Sequence, residues 1–92
     1  IDPGIGFGKK LEHNLQLLNN LDLLSEMNRP VLLGHSRKRF LGDLTGLDAD
    51  QRDSVSSVVS ALSLEKNVSI FRVHDVAATR QALAVARAIR TA

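Results

Sequence analysis

The chain has 92 residues, 43% of them hydrophobic and 24% charged, no cysteine, and a formal charge of +2 from 12 Lys and Arg against 10 Asp and Glu. That length fits one domain with a small core, burying roughly 60 to 65% of its unfolded surface, and the composition is that of a folded globular chain. Disulfides and thiolate chemistry are excluded, no apolar run reaches the roughly 18 residues of a membrane span, and no secretory signal opens the chain, so a soluble cytoplasmic protein is expected. Nucleic-acid binding is disfavoured as well. The only dense basic run is Arg37, Lys38 and Arg39, too short to track a phosphate backbone, and there is no Trp or Tyr to stack a base.

In chain order, IDPGIGFGKK at residues 1–10 reads as a glycine-punctuated loop with one carboxylate, Asp2, at its start. Leucines at 11, 15, 18, 21 and 24 fall three or four apart, which predicts one amphipathic helix over residues 10–27, stopped by Asn28, Arg29 and Pro30. Residues 31–34 read as a strand apolar on both faces, as in parallel sheets. Residues 34–48 are polar and glycine-rich around Phe40 and Leu41, which predicts a long loop with at most one helical turn. Asp48 and Gln51 have the spacing of a capping box, opening a helix whose buried stripe would be Val55, Val58, Val59 and Leu62. Residues 70–73 form the next strand, and a helix carrying Leu83, Ala86 and Ile89 follows Asp75.

Strand and helix therefore alternate, the pattern of an α/β fold with a parallel sheet. The alternation also calls for a strand ahead of Ile1. Fixed-period repeats and low-complexity segments are absent from the sequence.

In such sheets ligands gather at the carboxyl ends of the strands, and three loops fall on that edge: 1–10, 34–42 and 72–76. The glycines at 4, 6 and 8 let the backbone approach a flat ligand. Their spacing matches neither a phosphate-binding P-loop nor a dinucleotide fingerprint, and an ordinary tight turn would read the same way. SRK at 36–38 places a hydroxyl and two cations after a strand, which suits an anion; a solvated basic loop is the alternative. Arg72 must leave the core or find a partner at its edge, either a ligand or Asp75 or Asp2. His74, two residues on, points to the same side if the strand continues. Asp2 suits an N–H donor pair on a heterocycle, or else caps the glycine loop. His13 reads as a surface residue, and His35 stays open.

DPGIGFGK, SRK within LLGHSRKRFLG, and RVHDV, in this order and over essentially all 92 residues, resemble the late motifs of the dihydropteroate synthase family. The resemblance implies the C-terminal part of a (β/α)8 barrel, with about three βα units in residues 1–92 as a fragment of one pterin-binding domain. It implies condensation of 6-hydroxymethyl-7,8-dihydropterin diphosphate with p-aminobenzoate to 7,8-dihydropteroate and diphosphate in folate biosynthesis. By position, Asp2, Lys38 and Arg72 would hold the pterin, while Gly6, Phe7 and Ser36 would line the p-aminobenzoate site that sulfonamides mimic. Arg72 and His74 would bind the departing diphosphate, with Mg²⁺ as cofactor, making Lys38, Arg72 and His74 the catalytic residues. No side chain is implied as a metal ligand. The complete enzyme would be a homodimer.

His35, Arg39 and Val55 depart from the family's common residues at their positions, and none carries an implied role. Three βα units cannot close a barrel. The 92-residue chain alone is therefore expected to be inactive and to associate through an open sheet edge and an apolar face. Other readings are a pterin-dependent methyltransferase domain and a non-catalytic remnant or assembly partner of such a barrel.

Overall fold

Three aliphatic residues after Pro30 extend as β1 (Val31–Leu33), which pairs in parallel with β2 (Val68–Phe71) through Val31 with Val68, Leu32 with Ile70 and Leu33 with Phe71. The computed structural model describes residues 1–8, 10–27 and 29–92. Asn28 of the expected helix stop and Lys9 of the glycine loop lie outside the described residues. The pairing skips Ser69, so β2 carries one extra residue between its first two partners. Along the other edge of β1, the Ile1 amino group donates to the Pro30 carbonyl at 2.7 Å and the Leu32 N–H donates to the Ile1 carbonyl at 2.6 Å. This is one step of a parallel ladder. Ile1 thus lies where a strand feeding the glycine loop would end.

The predicted first helix is two helices, α1 (Leu11–Asn19) and α2 (Asp22–Ser25). Asn20 explains the break, because its side-chain amide donates to the Gln16 carbonyl at 2.8 Å and offers the backbone an alternative to the helix. Leu21, freed from the helical repeat, is wholly buried beside Ile5, Val31, Leu33, Phe40, Leu41 and Val68, which form the core.

The long loop after β1 holds more helix than predicted: α3 (Arg39–Thr45) has seven residues, buries Phe40 and Leu41, and ends on Gly46 in the left-handed region. Gly42, read as punctuation, is instead an interior helical residue over which the Arg52 guanidinium lies; a Cβ there would sit 2.8 Å from Arg52 Cζ and 3.0 Å from Nε. Arg52 continues past it, donating to the Leu47 carbonyl at 2.8 Å and the Arg37 carbonyl at 3.0 Å. One side chain thereby ties the connection together.

The capping box does not form. Asp48 makes no side-chain cap bond, a 3₁₀ turn (Ala49–Gln51) intervenes, and α4 (Asp53–Ser63) starts beyond it. The buried face of α4 is also not the predicted one. Ser56, Ser57, Ser60 and Ser63 are buried, whereas Val58 and Leu62 are exposed and Val55 and Val59 half-buried. The buried hydroxyls are satisfied locally, Ser56 donating to the Arg52 carbonyl at 2.7 Å and Ser57 to that of Asp53 at 3.0 Å. The aliphatic stripe instead lines an open apolar groove of about 650 Å³, with Leu15, Leu18, Phe40 and Leu44 on its other walls.

A second 3₁₀ turn (Leu64–Lys66) ends on Asn67 in the left-handed region and leads into β2. α5 (Val76–Arg90) packs chiefly against α4 and is capped by Asp75, whose Oδ1 accepts from the Ala78 N–H at 2.9 Å. Arg87 and Arg90 in its last turn complement the helix dipole. Leu83 and Ala86 are half-buried, while Ile89 is exposed and Thr79 is the buried residue. The architecture is α/β with a short two-stranded parallel sheet. Among the described residues, no helix is long and apolar enough to cross a membrane.

Candidate active site

Three segments meet at the carboxyl end of the sheet: the glycine loop after Ile1, residues 34–38 after β1, and residues 72–75 after β2. In the glycine loop the Asp2 Oδ1 accepts from the Gly4 N–H at 2.9 Å, the loop-capping alternative for that carboxylate. Gly6 has φ +87, a backbone conformation that favours glycine, and a Cβ on it would lie 2.9 Å from Lys38 Cδ, which would have to shift. Its N–H donates to Asn14 Oδ1 at 3.0 Å. Asn14 is only 2% exposed and pins the loop to α1. Sequence reading missed it, although a polar residue three after Leu11 and four before Leu18, inside a leucine stripe, is a legible signal.

Lys38 crosses to the glycine loop from the opposite side. Its Nζ donates to the Ile5 carbonyl at 2.5 Å and stands 4.3 Å above the centre of the exposed Phe7 ring.

Arg37 faces away from this arrangement. It adopts a left-handed conformation (φ 57), its N–H donates to Ser56 Oγ at 3.0 Å, and its guanidinium grips both oxygens of Asp53 at 2.7 and 2.8 Å. That two-pronged bond holds the Asp53 carboxyl below its ordinary range and raises Arg37. Of the two cations in SRK, one is therefore spent on anchoring the loop to α4.

His35 is wholly buried. Its Nε2 lies 2.8 Å from the Ser56 carbonyl and 2.9 Å from Ser60 Oγ, and its ring meets Phe71 edge-on at 6.5 Å. Among the described residues its Nδ1 has no hydrogen-bond partner. Burial pushes its pKa down, opposed by the bond to the Ser56 carbonyl and helped by the charge of Lys38. The folded state thus resists a proton that the unfolded chain accepts near the ordinary histidine value of about 6.5, so stability falls as pH drops below that value. Urea titrations of the full-length protein from pH 7 to 5 should show this slope, and His35→Gln should flatten it.

After β2 the backbone continues the ladder for one residue, the Arg72 N–H donating to the Leu33 carbonyl at 3.0 Å. The Arg72 guanidinium then folds over Gly34, where a Cβ would sit 2.7 Å from its Cζ and 2.9 Å from its Nε. Its Nη2 lies 3.5 Å from Asp2 Oδ2, while Asp75 is occupied in capping α5. Gly34→Ala should therefore leave stability nearly unchanged, because only the end of a flexible side chain must move, but should drive Arg72 off Asp2. A crystal structure and a melting curve of that variant check both outcomes.

β2 stops at Phe71, so strand alternation does not carry through to His74. His74 is set by Ser36 instead. The buried Ser36 Oγ accepts from the His74 N–H at 3.1 Å and lies 2.8 Å from His74 Nδ1.

The expected site residues are thus joined in three contacts: Asp2 with Arg72, Lys38 with Gly6 and Phe7, and Ser36 with His74. The last two each join residues expected at different ligands. Beside Asn14, the residues not foreseen are Asp53, Ser56 and Arg52, which hold the SRK loop from α4 and its entry. Among the described residues no three of His, Cys, Asp and Glu lie together.

The family model described as "Pterin binding enzyme" matches residues 1–74. A dihydropteroate synthase of Streptococcus pyogenes is 44% identical over 87 residues, covering 92% of this chain and 33% of the relative. The structure of dihydropteroate synthase from Xanthomonas albilineans in complex with 7,8-dihydropteroate superimposes with a TM-score of 0.95 at 46% identity, over 100% of this chain and 36% of that one. The Thermus thermophilus enzyme in complex with 4-aminobenzoate gives 0.91 at 49% identity, over 97% and 37%. The chain therefore spans about a third of the length of the curated relatives it matches. Over that span both sequence and backbone agree with relatives that are dihydropteroate synthases, and the chain belongs to the pterin binding enzyme family.

Proposed function

We propose that this chain supplies the carboxyl-end loops of a dihydropteroate synthase, which joins 6-hydroxymethyl-7,8-dihydropterin diphosphate to p-aminobenzoate and releases diphosphate. The observation that carries the reading is the cation at the end of β2: Arg72 lies over Gly34 and beside Asp2, so charge and planarity are presented together at the sheet's edge. A flat heterocycle and an anionic leaving group are the ligands such an edge suits.

In this reading Asp2 and Lys38 hold the pterin ring and Arg72 stacks on it. Gly6 and Phe7 face p-aminobenzoate, and Ser36 meets its carboxylate. The aromatic amine is uncharged at neutral pH, so no general base is obligatory. Its nitrogen attacks the methylene carbon of the pterin, the carbon–oxygen bond to diphosphate breaks with its electron pair leaving on the diphosphate oxygen, and the amine nitrogen then loses its proton to water. Arg72 and His74 meet the charge that develops on the departing oxygens, where fixed donors contribute most. Mg²⁺ would supply positive charge to offset that of the diphosphate.

The short sheet is assigned to a (β/α)8 barrel in the complete enzyme, whose remaining strands would cover Ile70 and the half-buried Phe71. The apolar groove between α1, α3 and α4 supports a homodimer. The complete enzyme is placed in the cytoplasm. The test is formation of 7,8-dihydropteroate by the full-length protein from the two substrates with Mg²⁺, followed by mass spectrometry. Product from both substrates, and from neither alone, is expected. Dihydropterin diphosphate binding without product would instead favour a non-catalytic role.

A further inference from the structure

The Ser36 hydroxyl has one proton and two lone pairs. The His74 backbone N–H can only donate, so the 3.1 Å bond from it fills one lone pair. What remains facing Nδ1 at 2.8 Å is the proton and the second lone pair. For a neutral ring, giving the proton to Nδ1 satisfies both groups and leaves the ring's own proton on Nε2. We propose that Ser36 is a positioning residue that holds His74 in the Nε2–H tautomer, so that the nitrogen turned away from Ser36 is a hydrogen-bond donor.

That choice matters for any anion at this edge. A neutral imidazole in the other tautomer would turn a lone pair toward the anionic oxygen and repel it. Ser36 is suited to the task because it is itself buried and fixed by two bonds to the same residue, whereas His74 is exposed. Naming diphosphate as the anion rests on the function proposed above; the tautomer follows from the contact alone. The hydroxyl has a single proton, so a carboxylate ligand at Ser36 competes with Nδ1 for it. The tautomer is held while that position is empty.

The experiment is proton–nitrogen correlation NMR of the full-length protein labelled with ¹⁵N at histidine, with His74 assigned by comparison with His74→Gln. The parent should show a protonated Nε2 and a hydrogen-bonded, unprotonated Nδ1. Ser36→Ala should change the Nδ1 shift and mix the tautomers, and Ser36→Thr, which keeps the hydroxyl, should restore the parent pattern. A proton on Nδ1 in the parent, or an Nδ1 shift unmoved in Ser36→Ala, overturns the proposal.

Binding of inorganic diphosphate supplies the second readout. His74→Ala should weaken it roughly 10- to 100-fold, as for a hydrogen bond to a charged group, and adding Ser36→Ala to that variant should weaken it no further. Losses that multiply overturn the positioning role. A parent protein that binds no diphosphate counts against the proposed function and leaves the tautomer result standing.

Discussion

Replacing Arg72 by alanine should lower kcat/KM for dihydropterin diphosphate by roughly 10²- to 10³-fold, the usual cost of removing one fixed donor to developing negative charge. Stability should stay within about 0.5 kcal/mol of the parent. The guanidinium is 57% exposed and its ion pair with Asp2 spans 3.5 Å, a pairing of the kind that contributes little to folding. Steady-state kinetics and a urea midpoint on the same preparation separate the two effects. Near-parental kcat/KM would remove Arg72 from the site. A large loss of stability would make it a structural residue.

The largest effect on stability should come from Phe40→Ala. Phe40 is 3% exposed and joins α3 to the core formed by Ile5, Leu33 and Leu41. Truncating a buried phenylalanine costs about 3–5 kcal/mol, a large share of the roughly 5–15 kcal/mol that holds a folded protein together. The lower end is expected, because Phe40 also borders the apolar groove and the polar pocket beside Gly6 and Arg39. Water can enter from either side once the ring is gone. Val85→Ala, on α5 and 61% exposed, should cost less than about 1 kcal/mol. Urea unfolding of the full-length protein measures both, and similar losses for the two variants would contradict this account of the core.

The alternation of strands and helices was legible because Pro30, Gly34 and Asp75 mark element ends by local chemistry. The α4 stripe was misread because periodicity identifies an apolar face without saying what covers it. Ser56 and Ser60 are buried by bonds to His35 and within their own helix, and nothing local to the sequence announces a histidine 21 or 25 residues away. Helix α3 escaped notice for a related reason. Gly42 lowers helix propensity, and only the distant Arg52 explains its presence.

At the site, the three loops were legible as strand ends rich in glycine and charge, but the pairings within them were not. Ser36 and His74 are 38 residues apart, and Arg37 and Asp53 are 16 apart. Residue types told which groups could meet an anion. Which of them spend their charge on the fold, as Arg37 does, is decided by contacts that have no local signature.

Whether the end of β2 receives an anionic leaving group is decided by a crystal structure of the full-length protein with dihydropterin diphosphate. Diphosphate oxygens should lie within hydrogen-bond reach of the Arg72 guanidinium and His74 Nε2, with the pterin ring against Arg72. A diphosphate bound elsewhere, with Arg72 still resting on Asp2, would contradict this reading.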